Sequence, residues 1–232
     1  MRAELKAAIS GLLAVMLTAC GGSDGDKQSN PTTSTTIPFP YPPEQSFTDV
    51  AVPLDENLRA AAEFALEMRA DLFSLQDEHE WDNRHSKYRS RVDPEVFVPE
   101  KEATPPGWVD TTGGNTLRVI SAKDVGNDTI EVVICSYNVP GRYILKWNGK
   151  IDPPDPTIGL YGLTRPRIQW TDRPAADGSV SAGQRWLLVD DGIDLSPNAP
   201  RNLAQQVCEP FKPEPFVQKM PDPTTTIATP TR

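Results

Sequence analysis

The residues of this chain best equipped for chemistry are its two histidines, its grouped acids and its aromatic side chains. His79 and His85 lie among Asp77, Glu78, Glu80 and Asp82, and imidazole with carboxylate suits zinc or iron. Six residues apart is not a same-face helical spacing, and no motif supplies a third ligand. A solvated helix end accounts for the cluster, so no metal is expected. Asp190, Asp191 and Asp194 invite a calcium site but lack the alternating ligands of a calcium loop. Asp190-Asp191-Gly192 reads instead as a strand end entering a turn, where aspartate and glycine are favoured for backbone reasons. No serine elbow sits between an expected strand and helix, and no glycine-rich loop is built to cradle phosphate. No catalytic residue and no cofactor is therefore expected.

Ligand binding needs less. Tyr137, Tyr143, Trp170, Trp186 and Asp190 fall on or near expected strands. Together they form the candidate lining of a pocket for a small apolar ligand. Core filling is the simpler expectation for Trp170 and Trp186, whereas Trp108, beside Pro105, Pro106 and Gly107, is expected at the surface.

A different chemistry is written near the start. Arg2 and Lys6 precede a segment, Ala7 to Ala19, that is apolar except at Ser10, Gly11 and Thr18. A membrane-spanning helix needs about 20 apolar residues, so this segment is too short for one and suits a signal peptide. It ends in Leu17-Thr18-Ala19-Cys20, which resembles the lipobox of bacterial lipoproteins. That resemblance implies cleavage before Cys20 and lipid, including palmitate-like acyl chains, on its thiol. Two chains make such anchoring durable, at about 0.8 kcal/mol per buried methylene. The expected location is the extracytoplasmic face of the cell membrane. With Cys20 given to lipid, Cys135 and Cys208 remain as a pair in an oxidising compartment, and a disulfide is expected between them.

Charge narrows the partners. The chain carries a net −9 and becomes one unit more negative without residues 1–19. No lysine or arginine cluster stands out, which argues against nucleic acid and against charge-driven binding to anionic head groups. The 24 prolines concentrate in tails and connections. Residues 20–46 read as a lipidated cysteine and a Pro/Thr/Ser-rich tether, flexible first and stiffer later. The tether resembles the glycosylated stalks of actinobacterial lipoproteins. Residues 47–221 are expected to form a single domain and residues 222–232 a disordered tail.

Within that domain the first element is a helix from about Asp55 to Trp81. Leu58, Ala61, Ala62, Ala65, Met68, Leu72 and Leu75 recur at helical spacing, and Asp55 is placed to cap it. A short helix is expected around Asp93–Phe97. From Thr116 the period becomes two. Segments 117–122 and 129–138 form a hairpin, the second apolar on both faces: Ile130, Val132 and Ile134 on one, Val133, Cys135 and Tyr137 on the other. A third strand is expected at 142–147, a long strand broken at Pro166 or two pieces over 157–173, and a return strand at 184–193. Residues 201–208 are a helical turn or an edge strand.

The expected class is α+β: a long N-terminal helix packed on a curved antiparallel sheet of about five or six strands. This order resembles the NTF2-like cone over residues 47–210. Two functions stay open. One is a non-catalytic envelope lipoprotein that binds a ligand or protein partner. The other, implied by the NTF2-like resemblance, is an enzyme acting on a small hydrophobic substrate through an acid/base aspartate or histidine and a tyrosine. A phage-encoded lipoprotein that excludes superinfection is a third.

Overall fold

Strand β3 (Thr129–Lys146) is apolar on both faces, and the molecule is built outward from it. The computed structural model describes residues 41–74, 81–101, 105–193 and 202–224. On one face of β3, Ile130, Val132 and Ile134 join a core with Leu117 and Val119 and with Ala61, Ala62, Ala65 and Met68 of helix α1 (Glu56–Ser74). On the other face, Cys135, Tyr137 and Val139 form a second core with Cys208. A two-sided strand cannot tolerate a one-residue slip without exposing one set of side chains. Register is therefore well specified at this strand.

The described residues form an α+β structure with a seven-stranded sheet. The main path runs β1 (Gln45–Val50), β2 (Trp108–Gly126), β3, β6 (Arg167–Thr171), β7 (Arg185–Asp190). Two further strands, β4 (Ile151–Asp152) and β5 (Tyr161–Thr164), also pair with β3. The sheet is mixed rather than antiparallel throughout, because β1 runs parallel to β2 from Gln45↔Gly114 to Val50↔Val119. That strand also crosses the expected tether boundary at residue 46. Its mostly exposed pattern offers no alternation from which a strand could be recognised.

The expected hairpin is present and longer than expected. The β2–β3 ladder skips between Gly114↔Gly141 and Thr116↔Tyr137, so residues 138–140 bulge opposite Asn115. The bulge absorbs Pro140, which lacks an N–H for the ladder. The strand expected separately at 142–147 is thus the far half of β3. By contrast, β5 and β6 are two pieces laid end to end along β3, at Ile134–Tyr137 and Thr129–Glu131. Between them the Pro166 carbonyl still accepts the Val132 N–H at 2.9 Å.

Helix α1 begins as expected, with the Asp55 Oδ1 accepting the Leu58 N–H at 2.9 Å. It is described as far as Ser74; residues 75–80 of the expected helix lie outside the described residues, and Trp81, its expected end, opens α2 (Trp81–Arg89). Glu67 and Asp71 of α1 meet Lys87 and Arg91 in an ion-pair network of 2.6–3.3 Å that joins the two helices. No helix forms at Asp93–Phe97. Asp93 is held by its N–H to the Leu188 carbonyl and folds the chain into a turn, its side chain accepting the Glu95 N–H. Residues near the C-terminus adopt the helical option, α3 (Leu203–Cys208), followed by a single 3-10 turn at Glu209–Phe211.

Candidate functional site

One end of the β2–β3 hairpin closes through Asn127-Asp128, both with positive φ (56° and 54°). Two successive left-handed residues make the tight turn that suits the twist of a hairpin. The turn is pinned sideways to β6: the Trp170 N–H donates to the Asp128 carbonyl at 2.9 Å, and the Gln169 side chain donates to the Asn127 carbonyl at 3.0 Å. Asp124 accepts the Gly126 N–H at 2.7 Å. These bonds set Asp124 and Asp128 beside Trp170. In the β6–β7 register Trp170 stands opposite Trp186, with ring centroids 5.0 Å apart and planes at 65°.

The first turn of α1 closes the other wall. Glu56, Asn57 and Ala60 face the tryptophans across a cleft of about 470 Å³ whose floor is the buried Ile130. Asp124 and Asp128 complete the lining, which among the described residues holds no lysine or arginine. Trp170 remains 40% exposed, so it is a wall of this cleft and not the core residue expected from its strand position. Trp186 is half-buried and packs on the edge of the first core.

The five expected pocket residues are not brought together. Trp170 and Trp186 share the cleft. Tyr137 lies fully buried in the second core, where its hydroxyl donates to the Cys208 carbonyl at 2.9 Å and burial pushes its pKa up to about 12. Tyr143 pairs opposite Thr112, far along the hairpin, with its phenol also raised by burial. Asp190 ends β7 at the surface and accepts the Gly192 N–H at 2.9 Å, the turn role expected of it. Sequence reasoning does not single out Glu56, Asn57, Ala60, Asp124 or Asp128, and it places Ile130 on an apolar strand face but in no pocket. The Asn127-Asp128 turn and the Asp55 cap were visible signals for two of the three segments that meet here.

Cys135 and Cys208 form a disulfide, with Cα atoms 5.6 Å apart. Of the histidines, His85 stacks on Trp81 at 5.0 Å beside a second cavity of about 420 Å³. His79, Asp194 and Cys20 lie outside the described residues. Among the described residues no group of three or more histidine, cysteine or acidic side chains is placed to hold a metal ion, and no helix is long and apolar enough to cross a membrane. Trp108 is half-buried beneath Arg142 and Lys146, while Trp147 in the β3–β4 turn is 79% exposed. No protein-family model matches the chain, and neither the curated proteins nor the solved structures contain a match.

Proposed function

We propose that this protein is an extracytoplasmic lipoprotein, held at the cell membrane by lipid on Cys20, that binds a small ligand in the Trp170–Trp186 cleft without transforming it. The observation that carries the proposal is the Trp170–Trp186 cleft, which lies away from the contacts of residues 42–44. Pro42 accepts a hydrogen bond from the Thr112 hydroxyl, and Glu44 pairs with Arg142 at 2.8 Å. Both contacts lie toward the Trp108–Lys146 end of the hairpin, whereas the cleft lies at the Gly126–Thr129 end. The strand from Thr112 to Asp124 covers up to about 40 Å at ordinary strand rise. Residues 42–44 thus leave the cleft open to solutes. The Cys135–Cys208 disulfide suits the oxidising compartment this reading requires.

Binding is favoured over catalysis by what the cleft holds. Its walls are two indoles and its rim is carboxylate, while Tyr137 and Asp190 lie elsewhere. Replacing Cys20 with alanine should shift the protein from the membrane fraction to the soluble one, or leave an uncleaved precursor. Detergent partition identical to that of the unaltered protein would overturn the anchored reading.

A further inference from the structure

Resting on the cleft as the binding site, we infer that its ligand is an organic cation, a small molecule with an alkylated ammonium head. Three observations converge on that class. First, Trp170 and Trp186 present an edge-to-face pair with one ring still 40% exposed. A tryptophan face attracts a cation through its quadrupole, most strongly when that cation is poorly hydrated. Second, Glu56 enters from α1 and Asp124 and Asp128 from the end of the β2–β3 hairpin, and among the described residues no basic side chain lines the cleft to neutralise them. Third, the one feature that would favour an anion is already used. The N-terminus of α1 would attract negative charge, but Asp55 caps it and Glu56 sits in its first turn.

The floor decides against an inorganic ion. Ile130 is 3% exposed and Ala60 offers only a methyl group, and among the described residues no three acidic, histidine or cysteine side chains are placed to hold a metal ion together, so a bare ion would lose water without a full set of ligands to replace it. An alkylammonium head loses little hydration on meeting apolar walls. It gains both the ring faces and the field of the carboxylates.

The test uses calorimetric titration of the full chain in detergent with choline and with the neutral alcohol that carries carbon in place of its nitrogen. Choline should bind, and its neutral isostere should bind at least about tenfold more weakly. In the Asp124→Asn/Asp128→Asn double variant, asparagine keeps a hydrogen-bond acceptor at the turn but removes charge. Choline should there fall toward the isostere while the isostere is unchanged. Trp170→Ala should lose both ligands, and Trp170→Phe should recover choline in part. Equal affinity for choline and isostere, lost together in Trp170→Ala, would overturn the cationic assignment and leave the cleft as an apolar site. Absence of binding by either compound to folded protein would overturn both.

Discussion

Removing the Cys135–Cys208 cross-link should lower stability by an amount the chain length sets. The bridge joins residues 73 apart in sequence. In the chain-entropy description, a closed loop of that size restricts the unfolded chain enough to contribute about 4 kcal/mol at 25 °C. Native contacts around the bridge should outlast it. Arg118 donates to the Phe211 carbonyl at 2.9 Å, the Tyr137 hydroxyl donates to the Cys208 carbonyl, and Phe216 packs against the Tyr137 and Tyr161 rings. The loss should therefore arise mostly in the unfolded state. In the Cys135→Ala/Cys208→Ala double variant, urea unfolding should show a lower midpoint with a steeper slope, because the freed chain exposes more surface when it unfolds. Thermal unfolding should fall by about 8–16 °C, at about 2–4 °C per kcal/mol for a domain of this size. A stability loss under about 1 kcal/mol would refute the reasoning. So would two alkylatable thiols in protein recovered from outside the cytoplasm, and that result would count against the compartment as well.

Glu67, hydrogen-bonded to Arg91 and Lys87 at 2.6 and 3.0 Å, has its carboxyl lowered from 4.5 to about 2. A depressed carboxyl stabilises the fold above its ordinary pKa and loses that contribution as pH falls through the folded value. Melting temperature should therefore decline between about pH 4.5 and pH 2, modestly because the side chain is half-exposed and screened. Glu67→Gln should flatten the decline, and an unchanged profile would show that the contribution lies elsewhere. Gly114→Ala should detach β1, since Gly114 sits at φ 136° and an added Cβ would run into the Gln45 carbonyl. Hydrogen exchange should speed up at the Phe47–Val50 amides and not across the β2–β3 ladder, and retained protection at β1 would sink this account.

Elements whose signal is local could be recognised in the sequence. The helical stripe of α1 survives as Ala61, Ala62, Ala65 and Met68 in the core, with Leu58 and Leu72 packed partly against it. The two apolar faces of β3 became two cores, although Val133 is only half-buried. Features set by distant partners were not legible. Strand β1 exists because Gly114 lets two backbones approach, and nothing in Gln45–Val50 announces that partner. The separation expected between strands 129–138 and 142–147 fails because a bulge carries one strand past Pro140. Cross-strand register, also non-local, brings Trp170 opposite Trp186. Burial was expected from their strand positions, and only the end of the helix decides otherwise.

That last point follows from the different rises of helix and strand. Helix α1 and strand β2 each contain 19 residues. At about 1.5 Å per residue the helix is roughly 28 Å long, and at about 3.3 Å the strand reaches up to about 60 Å. Even laid along the strand, one helix of this length covers only about half of it. Apolar side chains on the uncovered part must find another cover or line an opening. On the opposite face, α3 and the segment after it supply cover, tied down through Cys208. At the Asn127-Asp128 end α1 has only begun, and the exposed sheet carries two tryptophans where smaller residues would leave less apolar surface. The cleft is thus a consequence of element lengths. Its acids come from positions with local backbone duties: a helix first turn at Glu56, the Asp124 turn acceptor and the left-handed Asp128. A site assembled this way keeps its charge as long as those turns keep their residues.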